Sequence, residues 1–414
     1  MPEPSLLPTL TADPSHCYDV VVVGGGIVGA TTALALCRAG LEVVLLEANP
    51  PERAIARERA YALSLQTAAI FRQLEVWEEL RPQLECFETI QLSDADHPGV
   101  VRFRPEDLDR ADLGYIGEHR PILTTLYRHL GRQQGFCWPG PVRVEQIDYR
   151  RDRALIQGSD AEDSLTLQAR LVIAADGPQS PTREQAGLRS WGWRYWQSCL
   201  TCVVRHEHPH QRVAYERFWP EGPFAILPLP GDRSQVVWTA PHGQAQALAA
   251  APEAEFLREL QRRYGSQMGA LRLENQRQVF PVAFRQGRSY YGQRLALVGD
   301  AAHGCHPVGG QGMNLGIRDA AALAELVIAA IATGADPGSE RVLRRYDRWR
   351  RPEALVILLF TDLLDRLFSN RWLPLVALRR LGLWGLRQIP VARWLALRLM
   401  TGQLGRSPQL GSAD

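Results

Sequence analysis

An acid at the end of an apolar run, followed by a loop rich in glycine, is the arrangement in this sequence with the most chemical content. Leu295-Ala-Leu-Val298 ends in Gly299-Asp300. The loop beyond carries Gly304, Gly309, Gly310 and Gly312, and helical composition begins near Gly312. A short apolar run bounded by turn residues fits a buried strand. An acid at its carboxyl end faces the crevice where open α/β sheets hold their ligands. Glycines let backbone N–H groups approach a ligand closely, and a helix N-terminus favours negative charge there. An acid for ligand hydroxyls, beside bare amides for an electron-rich ring, suits a flavin. The competing reading is a strand–turn–helix crossover whose glycines only make turns.

A second candidate lies near the start. Tyr18 to Val23 is a buried-strand run, and Gly24-Gly-Gly26-Ile-Val-Gly29 follows. Ala30 to Arg38 has helical composition that Gly40 can end, and Leu41 to Leu46 is a second strand running into Glu47. This is G-x-G-x-x-G between strand and helix, with an acid about twenty residues on. Gly24 allows the tight turn, Gly26 the approach of a pyrophosphate and Gly29 close helix–strand packing. Glu47 can accept hydrogen bonds from a ribose diol, and an acid there disfavours a 2′-phosphate. The motif does not by itself separate NAD from FAD. A third stretch, Leu171 to Ala175 followed by Asp176-Gly177-Pro-Gln-Ser180-Pro-Thr-Arg183, again runs an apolar strand into Asp-Gly. Alone it is an ordinary turn. With the other two it reads as a third loop at the same cofactor.

Together these segments resemble the class A flavin monooxygenases, the single-component FAD-dependent aromatic hydroxylases, over roughly residues 17–355. Gly24–Gly29 resembles their ADP-binding fingerprint. Asp176-Gly177 with Ser180 and Arg183 resembles their Asp-Gly motif, which serves both FAD and the pyridine nucleotide. Gly299-Asp300-Ala-Ala-His303, with Pro307 and Gly310-Gln-Gly-Met-Asn314, resembles their Gly-Asp motif. By that resemblance Asp300 binds the ribityl chain and Pro307 lines the reactive face. The backbone of Gly309, Gly310, Gln311, Gly312, Met313 and Asn314 lies against the isoalloxazine. Arg120 stands where members often place a polar FAD contact, on a loose match around Pro121. Arg59-Ala-Tyr-Ala-Leu-Ser64 resembles the subgroup that hydroxylates quinone precursors in ubiquinone biosynthesis, which puts Arg59 among the cofactor-binding residues. Pro209-His-Gln-Arg-Val-Ala214 through Phe218, with Gly222 to Pro228, resembles the same subgroup.

The resemblance implies an FAD-dependent monooxygenase. NADH or NADPH serves as transient reductant, one atom of O2 enters an electron-rich ring, and the other leaves as water. It implies no catalytic side chain, because the cofactor carries the chemistry. The amides of the 309–314 loop and the dipole of the helix beyond are expected to stabilise negative charge on the reduced ring. The substrate class implied is a small, lipophilic aromatic, a prenylated phenol or quinol on the path to ubiquinone or a related prenylquinone. The alternatives are an epoxidase or hydroxylase of another lipophilic molecule, an FAD reductase that inserts no oxygen, and a flavin-binding scaffold in a membrane assembly.

The three motifs lie so far apart that the FAD-binding domain must be discontinuous. The expected class is α/β and α+β, with a Rossmann-like FAD-binding domain, an inserted, mostly antiparallel β-sheet substrate domain and a helical C-terminal region. The expected FAD-binding domain covers 17–84, 107–188 and 284–340. The substrate domain covers 85–106 and 189–283, and the helical region 341–414. Cys199–Val204, Phe224–Leu229 and Ser234–Thr239 carry strand signals, and Phe87–Ser93 and Val100–Phe103 are expected to join the same sheet. A substrate pocket follows between that sheet and the flavin.

From Glu353 to Met400 the chain is rich in Leu, Trp and Arg at helical spacing, yet its longest unbroken apolar run is Ala354 to Phe360. That is far short of the roughly 20 residues needed to span a bilayer. Trp372, Trp384 and Trp394 alternate with arginines, which suits a helix lying on a membrane surface. The alternatives are a helical cap on the FAD-binding domain or an oligomer interface. A cytoplasmic protein, peripheral on the inner face of a membrane, is the expected setting.

The chain of 414 residues is 45% apolar and 22% charged, a globular composition. All 47 basic residues are arginine, and a net charge of +2 gives no reason to propose nucleic-acid binding. The seven cysteines are scattered and odd in number, as in a reducing cytosol. Residues 1–16 lack a basic start, do not read as a signal peptide and are expected to form a loose arm. Cys199-x-x-Cys202 with His206, His208 and His210 invites a zinc reading. On a strand, however, residues three apart face opposite sides, so no metal is expected. His303 and His306 lie in the flavin loop, where they can touch substrate or cofactor or simply satisfy backbone groups. No serine nucleophile motif is present.

Overall fold

The computed structural model describes residues 7–10, 12–95, 97, 99–160 and 164–410. Positions 1–6 and 11 of the expected arm, and 411–414 of the expected helical region, lie outside the described residues.

Continuous apolar runs bury on both faces, and so favour parallel pairing under helices. Cys17–Val23, Val43–Leu46 and Leu295–Leu297 are such runs, as is the second half of Ser164–Ala174. They form the centre of an eight-stranded sheet in which Cys17–Val23 pairs in parallel with both Val43–Leu46 and Ser164–Ala174. Leu295–Leu297 adds in parallel on the outer side of Ser164–Ala174. All three expected strand ends (Val23, Ala174 and Leu297) therefore share one edge of one sheet. The helix Ile27–Cys37 and the long, alanine-rich helix Gln311–Ala332 are buried along most of their length.

The second sheet has nine strands, all antiparallel except where Val213–Trp219 runs alongside Thr89–Asp94. Its longest strand is Ser190–His206, flanked by Arg233–Pro241 and Gln278–Gly287. Two expectations change here. Phe87 belongs to Glu85–Phe87, which joins Ala60–Leu63 and Gly114–Glu118 in a separate three-stranded sheet; only Thr89–Asp94 and Val101–Phe103 add to the large one. Glu88 breaks the run, its N–H donating to Arg212 O rather than to a ladder partner. The described part of the first sixteen residues is also less loose than expected. Leu7 is fully buried, and Leu10 N–H donates to Trp138 O at 2.8 Å.

The helices Glu340–Phe368, Leu373–Gln388 and Pro390–Met400 close the chain. The first of them packs on the nucleotide half: Tyr346 OH donates to Leu297 O at 2.8 Å, and Leu343, Tyr346, Ala354 and Leu358 share the core of its strands. Its C-terminal end and the two helices after it turn to the second sheet. Phe368 stacks on Phe218 of the second sheet (ring centroids 4.0 Å), and Arg379 pairs with buried Asp94 at 2.8 Å. Leu383 and Leu397 pack into the same small core as Phe103 and Phe218. The segment after Met400 returns to the nucleotide side, where Thr401 O accepts from Gln66 N–H and Leu410 N–H donates to Gln73.

Candidate active site

The first glycine loop is shaped by contacts that leave no room for side chains. A Cβ on Gly24 (φ +103°) would lie 2.5 Å from Ala175 O, and one on Gly29 would lie 1.8 Å from Gly24 O. The loop thus presses against the end of Ser164–Ala174 on one side and its own helix on the other. A Cβ on Gly26 would meet nothing within 4 Å, so this is where the loop opens. Glu47 reaches back into it, accepting from Gly25 N–H at 2.9 Å and from the Asn49 N–H and side-chain amide at 3.0 and 2.8 Å. Tyr127 OH donates to Gly25 O at 2.7 Å.

The third stretch meets the Gly299 loop directly. Buried Arg183 donates from Nη1 to both Pro178 O (3.3 Å) and Ala301 O (3.1 Å). Arg285 bridges the same two loops through Pro178 O and Asp300 O. Asp176 accepts from Thr182 N–H through Oδ2, while its Oδ1 is buried with no protein partner.

Below the loop lies a dry charge network. Asp319, fully buried on the helix Gln311–Ala332, accepts from Gly299 N–H (3.2 Å) and pairs with His303 (2.6 Å) and Arg350 (2.8 Å). Arg350 and Arg318 both also pair with Glu353. Complete burial works against the Asp319 carboxylate, yet His303 and Arg350 beside it hold the carboxyl below its usual range. Arg318 is pushed down to about 10 by burial and by Arg350 beside it. His306, also buried, faces Gln197 and lies 3.6 Å from Asp365. Burial outweighs that carboxylate and pushes the imidazole down to about 4. The two loop histidines are therefore wired into protein partners.

The glycines at 309 and 310 adopt φ of +70° and +62°. A Cβ on Gly310 would sit 2.9 Å from Ala62 Cβ. Asn314 uses its whole amide to hold this arrangement. Its Oδ1 accepts from Ser64 N–H and Thr67 OH, and its Nδ2 donates to Ala62 O and Gly310 O, all at 2.7–2.8 Å. The helix that starts at Gln311 has no side-chain cap, so its first amides face the space ahead of it.

That space is a cavity of about 400 Å³ between the two large sheets. Of the expected site residues, Gly26, Arg59, Asp300, Pro307 and the 309–313 stretch line it. Gly24, Gly29, Glu47, Asp176 and Asn314 stand behind the wall and shape it through the contacts above. Arg120 is exposed and is not brought to it; the cavity is lined instead by His119, one residue earlier on the same helix. Burial pushes His119 down to about 4, and it bonds Tyr61 OH and Ala54 O.

Three lining features had escaped the sequence reading. Arg57 and Tyr61 flank Arg59, whose guanidinium lies over the Phe280 ring at 4.5 Å. Glu216 projects from the strand Val213–Trp219. Met400 arrives from the C-terminal helix. Glu216, Gly309, Gln311 and Met400 also line a second cavity of about 290 Å³. Its other walls are almost wholly apolar, including Phe103, Phe218, Leu364, Phe368, Leu383 and Leu386. The two cavities therefore adjoin at Glu216, Gly309, Gln311 and Met400, which would frame the neck between them. Cys199 and Cys202 lie in different hydrophobic clusters on opposite faces of their strand, and His206 bonds Ser234 and His208 O.

The residues present fit an FAD molecule. The opening at Gly26, the Asp300 carboxylate and the uncapped start of the helix Gln311–Ala332 run along one connected surface, with the buried, unpartnered Asp176 oxygen behind it. The known proteins agree. The family model described as "FAD binding domain" matches residues 17–361. An uncharacterized protein of Synechocystis sp. is 48% identical, covering 96% of both chains. The ubiquinone hydroxylase UbiL of Rhodospirillum rubrum is 37% identical, covering 98% of this chain and 94% of its own. The crystal structure of p-nitrophenol 4-monooxygenase PnpA from Pseudomonas putida superposes with a TM-score of 0.80 at 24% identity, over 94% of this chain and 99% of that one.

Proposed function

This chain belongs to the FAD-binding-domain family, and on that premise we propose that it hydroxylates the ring of a prenylated phenol or quinol in ubiquinone or related prenylquinone biosynthesis. NADH or NADPH is the reductant and O2 the oxidant. The relative UbiL is named a ubiquinone hydroxylase, which supports the substrate class. The single observation that carries the reading is the pair of adjoining cavities. One is a polar-ended chamber beside the 309–313 loop, and the other is an apolar annex large enough for a hydrocarbon tail.

Bound FAD supplies the chemistry of reducing O2 with electrons from the pyridine nucleotide and passing one oxygen atom to the ring. The protein's part is to bind, orient and exclude water. Asp300 would accept hydrogen bonds from the ribityl hydroxyls, Gly24, Gly26 and Gly29 would let the pyrophosphate approach, and Glu47 would read the ribose. Arg59 and the Asp176 oxygen complete the cradle. The 309–314 amides and the helix behind them face the ring and favour negative charge on it. Pro307 lines the reactive face. Chamber walls such as Ala214, Leu227, Val237 and Phe280 keep water from the reacting oxygen. Residues 17–84, 107–188 and 284–340 serve as the FAD-binding domain, with 85–106 and 189–283 facing the substrate. The cavity between the two large sheets supports that division.

The helices of 353–400 serve as a peripheral membrane contact. Leu359, Leu363, Trp372, Leu381, Trp384 and Val391 are all exposed, Trp372 by 64%. Arg371, Arg380 and Arg387 stand among them. Exposed apolar side chains bordered by arginine fit an anionic lipid surface. No helix among the described residues is long and apolar enough to cross a membrane. The annex lies directly beneath these helices, so a lipophilic substrate need not cross water to reach it.

The test is turnover. FAD-loaded protein given NADH or NADPH and 2-geranylphenol should consume reductant faster with the phenol than without it and return a ring carrying one added oxygen. Reductant oxidation indifferent to the phenol, with no hydroxylated product, contradicts the reading.

A further inference from the structure

One acid, half-buried in the cavity lining, has no part in the cofactor cradle. Glu216 lies on the strand Val213–Trp219, between Ala214 and Phe218 on the same face. Ala214 lines the chamber and Phe218 the annex, while Glu216 lines both. It therefore stands at the neck, across from the Gly309–Gln311 stretch of the flavin-side loop. A carboxyl group at the junction of an apolar tail site and a ring chamber is costly unless something polar meets it there.

We propose that Glu216 receives the hydrogen bond of the substrate's ring hydroxyl and takes its proton as the ring is hydroxylated. The assignment rests on the reading of the two cavities as a ring site and a tail site. A ring seated in the chamber with its tail in the annex must pass the neck at the carbon bearing the tail. A hydroxyl close to that carbon then meets the Glu216 carboxylate. Taking the O–H proton onto Glu216 pushes electron density into the ring positions ortho and para to the oxygen. A C–O bond forms at one of them with one atom of O2, and the other atom leaves as water. NAD(P)H supplies two electrons and is oxidised. When the ring carbon loses its own proton to solvent and aromaticity returns, Glu216 gives its proton back to the ring oxygen.

The surroundings suit this task. The strands on either side place Leu92 and Ala225 opposite Glu216. From the loop, the Gly309 backbone hydrogen-bonds the carboxyl and favours its anion. Burial is the larger effect and pushes the carboxyl up to about 7, where acceptance and return of a proton are both easy. Of the other titratable groups facing it, Cys199 and Cys305 are thiols pushed up to about 12 by burial. From the C-terminal helices comes Arg379, whose charge is taken by Asp94 at 2.8 Å. Tyr61, Arg59 and Asp300 line the chamber wall formed by the cofactor-side loops.

The test compares wild type with Glu216→Gln and Glu216→Asp, using 2-geranylphenol. In the wild type kcat/KM should rise with pH through an apparent pKa near 7. Glu216→Gln should keep its FAD and its NAD(P)H oxidation but hydroxylate about 100-fold more slowly. It should release H2O2 instead and lose the acid limb of the profile. Glu216→Asp should recover part of the rate and the limb. A second readout needs no turnover. Binding of ionised 2-geranyl-4-nitrophenol above the midpoint should draw one proton from a weakly buffered indicator solution in the wild type and none in Glu216→Gln. If Glu216→Gln fails to fold, absence of proton uptake in the wild type alone overturns the proposal. Coupled hydroxylation by Glu216→Gln within threefold of wild type overturns it too, with the substrate reading intact. A wild type that holds FAD yet neither binds nor oxidises the geranylated ring overturns the substrate reading and this assignment with it.

Discussion

The loop at 299–314 and the helices of 373–400 meet at Met400, yet they treat their side chains in opposite ways. Beneath the loop the framework is tied by protein partners, Asn314 making four hydrogen bonds and Asp319 serving Gly299, His303 and Arg350, while Asp300 and the uncapped start of the helix at Gln311 face the cavity. In the helices the charges are partly paired inward, as Arg379 with Asp94, while Leu373 (78% exposed) and Val391 (72%) stand in the open. A tied framework holds one geometry. An unsaturated apolar face waits for a partner. The comparison separates residues that fix the reacting ring from residues that bring the substrate to it.

The contrast breaks most severely at Asp319. Asp319→Ala would leave Gly299 N–H buried without its acceptor and strip buried Arg350 of one of its two carboxylates, leaving only Glu353. Removing one partner of a buried pair costs about 3–5 kcal/mol, so this variant should unfold at markedly lower denaturant. A wild-type midpoint would mean that the network beneath the loop carries no weight.

Acid should attack the same side. His306 and His119 are held neutral by burial, at about 4 against an unfolded value of 6.5. Because the folded state resists protonation, their contribution is complete above pH 6.5 and is lost as pH falls from 6.5 toward 4. It amounts to about 3 kcal/mol for each histidine. His306→Gln should flatten that part of the stability profile, and an unchanged profile counts against the assignment.

Asp300→Ala tests the cradle itself. A hydrogen bond to a charged group is worth about 1.5–3 kcal/mol, so FAD should bind about 10- to 100-fold more weakly while the fold survives. A fully yellow, active variant removes Asp300 from the site. The smallest effect on the isolated protein belongs to the other region. Leu381→Ser with Trp384→Ser should leave the melting temperature unchanged. Sedimentation with vesicles containing phosphatidylglycerol should weaken at least tenfold, since each exposed apolar side chain contributes about 1.5 kcal/mol or more on burial. Equal sedimentation would point to a helical cap without a lipid role.

The nucleotide half was legible because its signals are local. Buried strands read as unbroken apolar runs, and Gly24 and Gly29 stand where a Cβ would strike backbone. The meeting of the three loops was also readable, since each follows a strand of one parallel sheet. Arg120 went astray because one step along a helix turns a side chain by about 100°, and it is the preceding His119 that lines the chamber. Glu85–Phe87 and Thr89–Asp94 read as one strand, because nothing in composition reveals that Glu88 bonds across to Arg212. The annex was hidden for a different reason. Its walls come from Thr89–Asp94, Val213–Trp219 and three helices more than a hundred residues later, and only folding brings them together. Glu216 did leave a trace: an acid at the inward period of a strand, between Ala214 and Phe218, is a polar group aimed at the interior.

The most direct test of the central claim is isotopic. FAD-loaded protein turning over 2-geranylphenol under 18O2 should place one labelled atom in each hydroxylated ring for each NAD(P)H consumed. A product whose new oxygen is unlabelled, or reductant consumption that ends wholly in H2O2 despite bound phenol, would contradict a hydroxylase built on these two adjoining cavities.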